Sequence, residues 1–216
     1  MTSITRFASL AVVSALFVAP SEAAAAVSLI YKVAGDSLYS QDISNNSCTS
    51  SELLFSAFDS ITHEQGKPVA GEEVFISGSG FDCTTHSGYY FFSIDAAAVE
   101  LFEVAGNGAS ASLVATIPVY LCLTVVDEPD ACSETSATIE WTAQAIGSPV
   151  KESAHHHINY GHGGHYISRS KRTTREAQAS GTVTVDGLVL PFGEGDFHEA
   201  FINRESFGTV EIIQGV

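Results

Sequence analysis

Short runs of β-branched and aromatic residues recur from Val27 onward, separated by clusters of Gly, Ser, Asn and Asp. This spacing is typical of an all-β domain. The clearest run is 138–144, where Ile139, Trp141 and Ala143 alternate with polar residues and so lie on one face of a strand. The pattern places Trp141 in the core, with carbohydrate stacking as the alternative. The segments that read as strands are 28–33, 53–58, 73–77, 89–94, 99–104, 112–126, 137–145, 181–185 and 209–213.

These runs predict an antiparallel β-sandwich of the immunoglobulin-like or jelly-roll type, with at most one short C-terminal helix. The helix is expected after Asp196, which stands where an N-cap would, with Glu199 three residues later as in a capping box. Phe197 and Phe201 would share one face of it. Aromatic residues fall on both faces of the run 89–92, which favours burial of that strand on both sides, with an apolar patch at an interface as the alternative.

The N-terminus has the features of a secretory signal peptide. Arg6 precedes an apolar run of 13 residues, and small residues follow up to Ala26. That run is shorter than the ~20 residues a membrane-spanning helix needs. We therefore predict a signal peptide over 1–26, a secreted protein, and no membrane span after cleavage. Residues 27–216 are expected to form one domain; two small domains meeting within 147–151 are the alternative.

Four cysteines, an even number in an exported chain, point to two disulfides formed in an oxidising compartment. Three pairings are possible. The short separation of Cys122 and Cys132 favours a local bridge, which leaves Cys48 with Cys83. A zinc site would need ligand pairs at spacings such as C-x-x-C, and the sequence has none.

The chain is strongly acidic, with 25 Asp and Glu against 9 Lys and Arg and a net charge of -16. Such a balance argues against general nucleic-acid binding through the phosphate backbone. Catalytic signatures are also missing: the sequence has no G-x-S-x-G, no H-E-x-x-H and no phosphate-binding glycine loop. Asp196, His198 and Glu199 could do acid–base work, although caps and solvated charges are the simpler interpretation.

Five of the eight histidines fall within residues 155–165. Glycines at 161, 163 and 164 indicate a hairpin turn, and pairing Tyr160 with His165 would put His155 and His157 on one face. His156 and His165 would then lie on the other. In that register the best metal site is the pair His155 and His157, which zinc or copper could use with a carboxylate or water as a further ligand. A solvated, pH-sensitive loop is the alternative.

Four of the nine basic residues stand within 169–175. On an extended strand Arg169, Lys171 and Arg175 would share a face, a stripe suited to a phosphate, an anionic polysaccharide or an acidic protein partner. Neutralisation of nearby carboxylates such as Glu176 is the alternative. Below the ordinary imidazole pKa near ~6.5 the neighbouring histidines would add to this charge, which suggests pH-gated binding.

Residues 139–143, 175–183 and 69–77, with the contexts of Cys48 and Cys83, resemble a family of uncharacterised secreted bacterial proteins. The resemblance implies export, a β-rich fold and a Cys48–Cys83 bridge, and it implies no activity.

Together these features predict a secreted, non-enzymatic binding or structural module that contacts an anionic polymer or partner through residues 155–175. Extracellular Zn or Cu binding by the histidines is the second hypothesis, and a hydrolase of unknown substrate is the third. No cofactor is otherwise expected.

Overall fold

The computed structural model describes residues 27–64, 66–94, 98–161 and 164–213. The predicted signal peptide, residues 1–26, lies outside them. The described residues form strands and turns and no helix. The eleven strands are β1 (Val27–Asn45), β2 (Thr49–Glu64), β3 (Lys67–Asp82), β4 (Ser87–Ser93), β5 (Ala98–Val104), β6 (Ser110–Val125), β7 (Ala131–Ala145), β8 (Val150–Gly161), β9 (Gly164–Val185), β10 (Leu188–Phe192) and β11 (Phe197–Ile213).

All eleven strands belong to one antiparallel sheet in which neighbours in sequence are mostly neighbours in space. The pairing closes on itself. β9 pairs with β10 and β11 along one side and with β7 and β8 along the other, while β11 returns to β1. Tight turns make these connections, as at Asp186 and Gly187, whose φ values of 46° and 82° suit the two-residue turn of a hairpin.

The hydrophobic core lies inside the closed part of the sheet, where alternate residues of each strand point inward. Trp141 is 1% exposed, which confirms its predicted place in the core. Its ring meets Phe55 edge to face at 5.1 Å, and Phe55 meets Phe192 at 5.3 Å. Burial of these large rings supplies much of the hydrophobic stabilisation.

The all-β class and the antiparallel pairing are confirmed, but two finer expectations are not. The sandwich arrangement is not confirmed, because pairing joins the strands into one sheet and not into two. The C-terminal helix is wrong. Phe197 begins β11. Asp196 accepts a hydrogen bond from the backbone N–H of Asn45 at 2.7 Å, whereas the side chain of a helix N-cap accepts one from the first turn of its own helix.

The expected burial of β4 on both faces is also wrong. Phe91 is buried and Tyr89 half-buried, whereas Tyr90 and Phe92 are exposed on the other face. β4 therefore covers the core with one face only, as strands of a closed antiparallel sheet do.

Both predicted disulfides are present, Cys48–Cys83 joining β2 to the end of β3 and Cys122–Cys132 joining β6 to β7. Bonds of this kind form and persist in oxidising compartments. The described part of the chain contains no helix with the length and apolarity that crossing a membrane requires.

Beyond the core the sheet continues as an open extension of six strands, in the order β8, β9, β11, β1, β2 and β3. Here β8 runs beside β9 over residues 150–161, and β3 runs beside β2 from Lys67. One face of this extension is continuous with the face that lines the core, because side chains alternate without a break along β1, β2 and β11. We call it the inner face, and the opposite one the outer face.

Candidate functional site

The inner face of the six-strand extension carries basic side chains from every strand except β3. Cross-strand partners point to the same side of a sheet, so the pairing identifies which residues share a face. Six of the chain's nine Lys and Arg residues, with four histidines, fall on the inner face. We call this set the basic face: Lys32, His63, Lys151, His155, His157, His165, Arg169, Lys171, Arg175 and Arg204.

One row of cross-strand partners places basic side chains on four of five neighbouring strands. It crosses five strands through His155, Arg169, Gly208, Lys32 and His63. Strands in a sheet lie ~4.8 Å apart, so these groups could contact one extended ligand. Gly208, at the centre, has no side chain to separate Arg169 from Lys32.

A bidentate ion pair anchors the end of the basic face nearest the core. Arg204 donates from Nε to Asp36 Oδ1 at 2.7 Å and from Nη2 to Oδ2 at 2.9 Å, and from Nη1 to the carbonyl of Gly106. Hydrogen bonding to Asp36 raises the pKa of Arg204 above its usual value. Arg204 is therefore held in place and stays charged.

Within the part of the extension that the structure describes, the acidic residues of the inner face all lie in one row, Asp36, Asp59 and Glu72. The outer face has the opposite balance. Its charged residues are Glu64, Lys67, Glu73, Glu152, Arg172, Glu176, Glu205 and Glu211. The extension thus separates charge by face, basic inside and acidic outside.

The structure places Arg169, Lys171 and Arg175 on the same face of β9, the inner one. Arg169 and Lys171 are exposed, whereas Arg175 is half-buried and contacts the β5–β6 turn at Gly108. Arg172 lies on the outer face, where its Nε is 3.0 Å from Glu205. The alternative interpretation, that a basic residue neutralises a nearby carboxylate, therefore applies to Arg172. The carboxylate it contacts is Glu205 and not Glu176.

His155 and His157 also lie on the inner face, beside β9. The expected position of His165 is wrong. An irregularity between Asn159 and Gly161 pairs His165 with Asn159, not with Tyr160, and so turns it to the same face as His157. The His157 and His165 rings meet edge to face, with centroids 5.8 Å apart. His162 lies outside the described residues.

A metal centre finds no support in this arrangement. Within the ranges that the structure describes, no group of three or more His, Cys, Asp or Glu residues is placed to hold an ion. Two imidazoles without a third ligand bind metal weakly. Zn or Cu binding stays a prediction.

The sequence did not reveal an Asp–His pair at the other end of the core, in which Asp42 is buried and His198 is half-buried. Asp42 accepts a hydrogen bond from the backbone N–H of Gly193 at 2.7 Å, and its Oδ2 lies 3.2 Å from Nδ1 of His198. The partners are 156 residues apart, so no local motif signals the pair. Asp42 fastens the turn between β10 and β11 to β1, a structural role. The prediction that His198 lies with Asp196 and Glu199 on a helix is wrong, because His198 belongs to β11.

Replacing Asp42 with alanine should lower the free energy of unfolding by about 1–3 kcal/mol, because the Gly193 N–H and the His198 ring lose a buried acceptor. Chemical denaturation followed by circular dichroism measures the change. Asp42→Asn, which keeps an acceptor oxygen, is the control and should lose less. Equal losses in the two variants would contradict the assigned hydrogen bonds.

Comparison with known proteins adds no identification. No protein-family model matches the chain, and no curated protein does. The resemblance to secreted bacterial proteins therefore stays a prediction.

Proposed function

We propose that this protein is a secreted, non-enzymatic binding module that holds an anionic polysaccharide on the basic face. The observation that carries the proposal is the concentration of six of nine Lys and Arg residues on one face of a chain whose net charge is -16. If the basic residues served solubility alone, they could be scattered over the whole surface and would not need to share one face. A cationic surface with an acidic reverse side favours an anionic ligand approaching from one direction.

A cleft on the basic face favours a polysaccharide over a simple polyphosphate. Its volume is about 490 Å³, within the range of small-ligand sites, and its lining includes Asp59, Ile61, Lys171, Thr173 and Ser206. Lys171 can hold an acidic group. Asp59 and the hydroxyls of Thr173 and Ser206 can hydrogen-bond to sugar hydroxyls, whereas a carboxylate would repel a ligand made of phosphates alone.

Calorimetry with a panel of polymers tests this function. We expect binding to polygalacturonate or heparin, weaker binding to polyphosphate, and none to neutral dextran. Binding to the acidic polysaccharides should weaken as salt is raised, because the contacts are charged. Binding to poly-glutamate alone would indicate a protein partner instead, and no binding to any polyanion would refute the proposal.

Acidification should tighten polysaccharide binding. Imidazole is the side chain that ordinarily changes charge between about pH 7.5 and about pH 5.5. Four imidazoles lie on the basic face, those of His63, His155, His157 and His165, and the carboxylates on the same face are Asp36, Asp59 and Glu72. We expect about tenfold tighter binding at the lower pH, worth about 1.4 kcal/mol.

The histidine contribution has a matched control. The double variant His155→Gln, His157→Gln removes two imidazoles from the basic face and should lose most of the tightening. His86→Gln removes an exposed imidazole from the turn between β3 and β4, away from the basic face, and should keep it. Affinity that does not change with pH in the native protein would show that the imidazoles do not contact the polymer.

A further inference from the structure

β8 is a long free edge of the sheet. Among the described residues it pairs with β9 and with no other strand, and residues 151–160 are exposed. Its twelve residues include no proline. The free part of β3, at the opposite edge of the extension, carries Pro68, Glu72 and Glu73, which are features that discourage strand pairing. A free edge of this length, with no proline and with charged residues only at Lys151 and Glu152, is a template for another strand.

The sequence of β8 is complementary to itself in one antiparallel register. If Ala154 faces Ala154 of a second copy, Glu152 faces His156 and Val150 faces Ile158. These residues all lie on the outer face, where hydrogen-bonded and apolar cross-strand pairs stabilise a sheet. Val150 and Ile158 are 61% and 50% exposed in the single chain, so the pairing would cover both. Sliding the register by two residues breaks both matches.

We propose that β8 pairs antiparallel with β8 of a second copy about a twofold axis at Ala154. Such a contact uses the same edge on both copies and closes as a dimer. The two six-strand extensions become one continuous sheet of twelve strands, and the two basic faces lie side by side. A polymer long enough to reach both would bind with the gain in avidity of a two-site ligand. The dimer itself does not depend on the identity of that polymer.

Site-specific cross-linking of the mature protein tests the axis directly. Opposed residues of antiparallel strands have Cα atoms ~4.5–5.5 Å apart, within the range a disulfide spans. Ala154→Cys should therefore give a disulfide-linked dimer on mild oxidation, seen on a non-reducing gel. The native cysteines of the described residues are all paired and offer no competing thiol.

Ser153→Cys is the matched control, because in this register residue 153 faces His155 of the other copy and not itself. It should cross-link at least tenfold less than Ala154→Cys. Equal cross-linking of the two variants would show random collision and overturn the proposal. Circular dichroism of both variants should match that of the native protein, since both positions are exposed on an edge.

Sedimentation velocity supplies a second test that needs no cysteine. The native protein should show a concentration-dependent dimer that Ile158→Lys abolishes and Val69→Lys, on the β3 edge, leaves unchanged. A native protein that stays monomeric at high concentration, with no excess cross-linking of Ala154→Cys, would overturn the proposed dimer.

Discussion

Replacing Arg169 and Lys171 together with glutamate is expected to weaken polysaccharide binding about 100-fold or more. Each residue is exposed on the basic face, and a charge-assisted hydrogen bond contributes about 1.5–3 kcal/mol. Loss of two such contacts alone accounts for about 3 kcal/mol, which is more than a factor of 100 in the dissociation constant. The reversed charges would also repel the polymer. Calorimetry with the polymer that binds the native protein measures the loss.

The outer face provides the control for this experiment. Lys67 and Arg172 lie on the other side of the same extension, so Lys67→Glu with Arg172→Glu changes the net charge by the same amount. That variant should bind within about threefold of the native protein, because long-range repulsion through salt is weak. A similar loss in both double variants would mean that net charge, and not the basic face, governs binding.

Trp141→Ala should lower the free energy of unfolding by about 3–5 kcal/mol, the largest stability effect expected of a single substitution here. The indole is buried and meets Phe55 edge to face at 5.1 Å, so its removal leaves a cavity and ends an aromatic contact. Because Trp141 is the only tryptophan, unfolding is followed by circular dichroism and not by fluorescence.

Two further variants define what the loss at Trp141 means. Trp141→Phe keeps a ring in the core and should cost less than the alanine variant. Val189→Ala, at an exposed position of β10, should change stability by less than about 0.5 kcal/mol. A loss at Trp141→Ala as small as that at Val189→Ala would place the indole outside the stabilising core.

Where local alternation is strong, the sequence predicts the fold well. In β7, Ile139, Trp141 and Ala143 are all buried, because a period of two in apolar residues can be satisfied only by a strand with one face in the core. The cysteine pairing was also predictable, since a short separation and an even count limit the choices.

Local sequence patterns mislead where the structure of a segment depends on a strand that is distant in the sequence. Residues 196–201 combine a capping box with helical spacing, yet β11 begins at Phe197, and its seventeen residues pair with β1 from the other end of the chain. The pairing of seventeen residues stabilises the strand more than one helix cap stabilises a helix. The six residues 196–201 contain no information about which strand they will pair with. The same reasoning applies to Asp42, whose partner His198 is visible only in the folded sheet.

The candidate site was partly predictable for a related reason. Alternation along one strand predicts that Arg169 and Lys171 share a face, and the structure places them so. It does not predict that Lys32, His63 and Arg204 join them, because that depends on which strands become neighbours. A single irregular position near Asn159 was enough to reverse the expected face of His165.

Mapping the contact by NMR shows whether one face of the extension binds an acidic polysaccharide. Titration of the isotope-labelled protein should shift the amide signals of Lys32, Arg169 and Lys171 and the ring signals of His155 and His157. Signals of Lys67, Arg172 and His156, on the outer face, should stay in place. Shifts concentrated on the outer face, or no shifts with any acidic polysaccharide, would refute polysaccharide binding by the basic face.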